Sequence, residues 1–378
     1  MNSFEIPLSS PDVRPEDLQL VQKVLQSGKL SIGPVIEEFE EAFADRLGVK
    51  HAIAVSSGTA ALHLAVQLSG IGEGDEVIVS PFSFVASANA VLYEKATPVF
   101  VDIEEERLGI DATLVQASIT SKTRAILPTH VFGRACAIDK LSEIATTKGL
   151  KLIEDNCESP GATIQVNGVN RPAGSFGQFV AYGFYPNKLL TTGEGGMLTT
   201  DDPELAAMAR SLRNQGRGAD NGIHMIHDRL GYNYRMSEIQ AALGLSQLER
   251  LDDSISLRQK VVARYVELLR DEERVKLPHQ STQETHTWFV FAVRVQEKVR
   301  DLVIKYLASK GIQAKAYFFP CIHLQPYYRK MFGFKEGDFP IAEKVSREII
   351  ALPIFNQMKE SQIERVVETL KEALDQYD

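Results

Sequence analysis

Three cysteines in 378 residues, Cys136, Cys157 and Cys321, are too few and too scattered for a disulfide framework. No C-x-x-C pair occurs, so the usual thiolate metal sites are excluded too, and the thiols are expected to stay reduced in a cytoplasm. No uncharged apolar run approaches the roughly 18 residues that a membrane-spanning helix needs. The opening MNSFEIPLSSPDVRPED lacks a basic stretch followed by an apolar one, so it does not read as a signal peptide. Positive charge is also short. Forty-one Lys and Arg stand against 50 Asp and Glu, a net charge of −9, which argues against a general nucleic-acid binder. A local basic pocket for a small phosphorylated ligand stays open. Neither an internal repeat nor a low-complexity linker is visible. What is present, 44% hydrophobic and 24% charged residues, is the composition of a soluble globular protein. The length suits about two or three domains.

Periodicity organises the chain. Residues 15–26 and 34–47 read as helices, the second with Pro34 near its start and Gly48 at its end. Alternation follows. Apolar strands are expected at 51–55, 76–80, 97–103, 124–131, 150–154, 179–184 and 196–200, and helices at 58–69, 85–93, 138–148 and 203–213. Short apolar strands separated by helices predict an α/β fold, a mainly parallel sheet covered on both faces. From Ser237 to about Leu269 one long helical pattern leads out of this unit. A strand at 287–295 and helices at 299–309 and 362–377 follow it. The chain therefore divides into a large α/β domain, residues 1–245 with the N-terminal segment, and a smaller C-terminal α+β domain, 246–378.

Three features fall at the carboxyl ends of these strands, where open α/β sheets build their sites. Residues 55–62, VSSGTAAL, form a strand, a small-residue turn and a helix start whose unpaired N–H groups suit a phosphate. Plain helix capping by Ser56 or Ser57 is the alternative. Asp155 closes the strand in LIEDN, where desolvation penalises its charge unless a cation such as a protonated pyridine faces it; a loop-capping Asp would look the same. Lys188 follows another strand, amid FYPNKLLTTGEGG, where apolar neighbours favour the uncharged, nucleophilic amine. The other reading is a solvated loop lysine. Together the three supply what pyridoxal 5'-phosphate requires: a phosphate cradle, a carboxylate for the ring nitrogen and an amine for the aldehyde.

The segments SSGTAALHLA, SPFSFVASANAV, PTHVFG, IEDNCESPGA, FYPNKLLTTGEGGM, LGYNYRMSEIQAALGL and AYFFPCIHLQPYY occur in this order. They resemble the successive motifs of the DegT/StrS sugar aminotransferases, pyridoxal-phosphate enzymes of fold type I in the aspartate aminotransferase superfamily. The resemblance spans nearly the whole chain. It implies that Lys188 forms the Schiff base and shuttles a proton, that Asp155 holds the pyridine nitrogen protonated, and that Gly58, Thr59 and Ala60 bind the phosphate. It also implies that Phe84 stacks on the ring, that Glu158 lies near the cofactor's 3' oxygen, and that Asn233 reaches the phosphate of the neighbouring subunit in a homodimer. The implied substrates are a nucleotide-linked keto-sugar and L-glutamate.

Two positions depart from the family pattern. Gly183 stands where a Ser often donates to the phosphate, and Lys315 where many relatives carry Arg, which gives up bidentate geometry toward a diphosphate. Lys188 itself separates the chain from a dehydratase branch that carries His there. Tyr185, Lys315, Tyr317, His323 and Ser31 are candidates for the substrate side, although Tyr317 and His323 could equally be packed residues. His130 either touches the cofactor or orders its loop. His224 and His227 read as solvated, Trp288 as core, and Glu104–Glu106 as a solvated acidic run. A keto-cyclitol aminotransferase, or a cofactor-binding regulator without turnover, are the alternative functions on the same scaffold.

Overall fold

The computed structural model describes residues 4–218 and 224–377. In chain order the strands are β1 (His51–Val55), β2 (Glu76–Val79), β3 (Thr97–Phe100), β4 (Thr123–Leu127), β5 (Lys151–Asp155), β6 (Thr163–Val166), β7 (Val169–Pro172), β8 (Phe179–Gly183), β9 (Gly196–Thr200), β10 (Glu284–Thr285), β11 (Phe291–Arg294) and β12 (Ile349–Leu352). Seven of them form the central sheet, in the order β1-β9-β8-β5-β4-β2-β3. The run from β8 to β3 is parallel, and β9 lies antiparallel to both β1 and β8.

Both faces of the sheet are buried, which explains why its strands read as continuous apolar runs. Val77 and Val79 of β2, with Ala125, Leu127 and Ile153, face the helices Gly58–Leu68, Ala86–Tyr93 and Pro203–Arg213. Ile78, Ile126 and Leu152 point the other way, against the helices Ala112–Ala117 and Ile138–Lys148. The two-residue period of the strand makes this division. At the β1 end the same second face is covered by the helix Pro34–Leu47, whose Phe39 and Phe43 pack on Tyr182 and Phe184.

The long helical pattern beginning at Ser237 is two helices, Glu238–Glu249 and Leu251–Leu269. The break is Arg250 (φ −115°, ψ 23°), whose guanidinium is drawn to the Asp17 carboxylate at 2.7 Å and to the Asp12 carbonyl at 2.9 Å. The apolar stripe runs through the break, so the pattern alone could not show it. The expected strand over 287–295 is paired only at Phe291–Arg294, with β12. Trp288 interrupts it at φ +54°, a left-handed conformation that a bulky residue rarely adopts. The β6–β7 hairpin, the helix Pro340–Glu348 and β12 are additions to the expected elements. Ile6 bridges Ile312 and packs in the core built mainly by the C-terminal helices. We keep the division near residue 245 as a proposal, amended by this placement of the N-terminal segment. No described helix is long and apolar enough to cross a membrane.

One carboxylate ties the helix Pro34–Leu47 to the helix Glu238–Glu249. Glu238, 1% exposed, accepts hydrogen bonds from the N–H groups of Gly33 (2.8 Å), Val35 (2.9 Å) and Ile36 (3.4 Å), at the start of the helix Pro34–Leu47. That helix has no side-chain cap of its own. Glu238→Ala is expected to destabilise the protein by about 2–4 kcal/mol, because partly buried donors lose a buried, charged acceptor at the positive end of a helix. An unfolding midpoint equal to that of the native chain would contradict this role.

Candidate active site

A cavity of about 1250 Å3 opens at the carboxyl ends of β1, β5 and β8. Each wall traces to a strand that ends there. After β1 the chain turns through Ser57 into the helix Gly58–Leu68. The Ser57 hydroxyl accepts the Ala60 N–H at 3.1 Å, which fixes the helix start. The N–H groups of Gly58 and Thr59, both lining the cavity, have no recorded acceptor among the described residues. Ala60 is therefore a correction: its N–H is occupied and its side chain is buried away from the cavity. The turn has no room for a side chain at Gly58, where a Cβ would lie 2.9 Å from Cys157 Sγ and 3.1 Å from Gly183 Cα. A Cβ at Gly183 would touch Cys157 at an ordinary 3.4 Å, so packing does not dictate the missing side chain there.

Asp155, 4% exposed, ends β5 on the cavity floor. Its carboxylate accepts the Ser87 hydroxyl at 2.6 Å, the Thr129 hydroxyl at 3.5 Å and the Cys157 N–H at 3.2 Å. Ser83 links Thr129 and Ser87 through contacts of 3.0 and 3.2 Å. These bonds orient the carboxylate. Burial and the neighbouring Asp155 hold the Cys157 thiol well above the usual range, so it stays protonated.

Lys188 sits in the loop after β8. Its Nζ lies 3.5 Å from Glu158 Oε1 and 4.0 Å from the centre of the Phe289 ring. Burial pushes the Glu158 carboxyl up, while Lys188 and the Phe132 N–H, which donates at 2.8 Å, pull against that shift. Phe84 and Tyr185 line the cavity and are more than half exposed. Tyr317 accepts from the Asn187 amide at 3.4 Å, and burial pushes its hydroxyl up to about 12. Lys315 stands at the exposed mouth.

Several expected residues are elsewhere. His323 is fully buried, 3.1 Å from Glu343 and packed edge-on against Phe339, so it does not face the cavity. Burial lowers its basicity, which fits a packed imidazole. His130 is likewise buried: it accepts the Cys136 N–H at Nδ1 and meets Glu154 at Nε2, 2.9 Å away, so it orders the loop. Ser31 and Asn233 are exposed and line no part of their own chain's cavity. His224 and His227 are exposed and Trp288 is buried, as read from the sequence. Glu105 is partly exposed, as read from the sequence, and is also ion-paired. Lys276 at 3.1 Å and Arg294 at 2.8 Å hold its carboxyl down at about 2. Sequence reasoning missed Ser87, Thr129, Asn187 and Phe289. The first two lie in quoted motifs, but only the folded sheet brings their hydroxyls to Asp155.

The donor set fits pyridoxal 5'-phosphate: two unpaired amides in a glycine turn that a Cβ would fill, an oriented buried carboxylate and a partly buried amine share one cavity. A profile of the DegT/DnrJ/EryC1/StrS aminotransferase family matches residues 11–371. The chain is 42% identical over 348 residues to GDP-perosamine synthase of Caulobacter vibrioides, covering 91% of each protein. It is 38% identical over 380 residues to the spore coat polysaccharide biosynthesis protein SpsC of Bacillus subtilis, covering 97% of this chain and 96% of that one. Its fold is similar to the crystal structure of S. venezuelae DesV in complex with a ketimine intermediate, with a TM-score of 0.91, 34% identity and full coverage of both chains. The chain belongs to the DegT/DnrJ/EryC1/StrS family and is a pyridoxal-phosphate-dependent sugar aminotransferase of fold type I.

Proposed function

We propose that the enzyme moves an amino group from L-glutamate to the ketone of a nucleotide-linked keto-sugar, for the synthesis of amino-sugar precursors of polysaccharides. The observation that carries this reading is the convergence of Lys188, Asp155 and the unpaired Gly58 and Thr59 amides on one cavity. The bound cofactor supplies a protonated pyridine ring that takes up the electron pair left when a C–H proton departs. The Gly58 and Thr59 N–H groups bind its phosphate at the helix N-terminus. Asp155 holds the proton on the ring nitrogen. Lys188 Nζ would bond the cofactor and would serve as the base that moves the proton from the donor's α-carbon and returns one to the sugar carbon. Glu158 meets the oxygen beside the bonded carbon.

Toward the mouth, Phe84 packs on the cofactor ring and Tyr185 and Tyr317 line the sugar's path. Lys315 meets the diphosphate as a point charge. We further propose a homodimer, in which Asn233 and Ser31 serve the neighbouring subunit's cavity; both are exposed and neither lines its own. The likeness to a GDP-perosamine synthase makes a GDP-linked keto-sugar the first acceptor to try. The test is incubation of cofactor-loaded enzyme and glutamate with UDP-, dTDP- and GDP-linked keto-sugars and with free keto-inositols, read by mass. Conversion of a nucleotide keto-sugar to its amine is expected. Amination of the keto-inositols alone would replace the acceptor by a cyclitol, and no conversion with any acceptor would sink the reading.

A further inference from the structure

Phe289 has no part in the chemistry above, yet its ring lies against the reacting amine. It is 4% exposed, and Lys188 Nζ stands 4.0 Å from its centre. Its backbone is held unusually firmly. Arg258, 3% exposed, donates from Nη1 to the carbonyls of both Trp288 and Phe289 at 3.1 Å, and from Nε to Asn356 at 3.1 Å. No carboxylate pairs with Arg258 among the described residues, and burial pulls its guanidinium down to about 10. A buried cation satisfied only by neutral oxygens is expensive to maintain. Here it clamps the carbonyls on either side of a peptide next to a residue at φ +54°. Such a conformation persists where its surroundings enforce it.

The same segment is tied to the turn that holds Glu158. Thr287 donates to the Gly133 carbonyl at 2.8 Å and Val290 to the Phe132 carbonyl at 3.4 Å, while the Phe132 N–H donates to Glu158. The two groups in contact with the Lys188 amine thus share one backbone support.

We propose that Phe289 is a positioning residue for Lys188: its ring face, locked in place by Arg258, seats the ammonium beside Glu158 and sets the balance between charged and free amine. An aromatic face attracts a cation through its quadrupole, more strongly where water is excluded. An aliphatic side chain of similar polarity fills space without that attraction. The inference rests on Lys188 being the cofactor-bonding lysine.

The test uses the full chain free of cofactor. Lys188 is labelled competitively with an amine-specific reagent across a pH series and read by peptide mass spectrometry. Phe289→Leu is expected to lower the pH of half-maximal labelling by about half to one unit. Phe289→Tyr, which keeps the ring, is expected to retain the native midpoint. A merely structural role would change the rate of labelling and not its midpoint. An unmoved midpoint in a Phe289→Leu protein that melts like the native one overturns the proposal. A second measurement needs no core substitution. In the native chain carrying 13C-methylated lysines, the Lys188 signal, assigned by its loss in Lys188→Arg, is expected upfield of the exposed lysines through the ring current. A signal at their position overturns the proposal equally. Neither readout involves the acceptor or turnover, so failure here leaves the proposed function standing.

Discussion

Lys188→Ala is expected to abolish turnover, lowering the rate by at least about a thousandfold, and to remove the yellow colour of the lysine-bound cofactor. Two contributions vanish together. The nucleophile that bonds the cofactor is gone, and so is the base that moves the proton, itself worth roughly 10²–10⁴-fold. The fold should survive. The side chain is 15% exposed and, among the described residues, its ion pair is with Glu158 alone. Burial already pushes that carboxyl up, and losing the lysine pushes it further, which eases the cost of leaving Glu158 without its partner. Thermal melting and the visible spectrum, taken on the same preparation, check both halves. A Lys188→Ala protein that still aminates its substrate would remove the central assignment.

Asp155→Asn should give the second-largest loss. Removing one partner of a buried charge pair is worth about 3–5 kcal/mol, which corresponds to roughly 10²–10⁴ in rate when the charge is needed in the transition state. The amide oxygen can still accept from Ser87 and Thr129, while the NH2 group faces the Cys157 N–H and gives up that one bond, so the melting temperature should fall only modestly. Steady-state rates beside a melting curve decide the matter. Near-native turnover would show that Asp155 orders the Ser83–Ser87–Thr129 cluster and does no more.

The parallel sheet was legible because a strand buried on both faces must be apolar throughout, and β1 and β9 carry the same bounds in sequence and structure. Strand ends were read a few residues long at β3 and β4. Residues beyond the last ladder bond stay apolar when they face a cavity or a packed loop, as Val101, Ile103 and Val131 do. His323 stayed open between two readings for a related reason: a His between apolar residues looks the same whether it faces a ligand or a buried Glu343. Ala60 was misread because a helix start offers several N–H groups, and only the geometry shows that Ser57 has already taken one.

The sequence by itself determined the local chemistry: which strands are apolar, where helices start, and that a lysine, an aspartate and a small-residue turn each follow a strand. These rest on residue type and spacing, which act over a few positions. The tertiary structure alone decided the long-range pairings. Glu238 caps a helix about 200 residues away, Arg250 reaches Asp17 where the helix breaks under a continuous apolar stripe, and Phe289 comes to rest against Lys188. Each depends on a side chain meeting a partner that loop closure brings from far along the chain, and no periodicity records that distance.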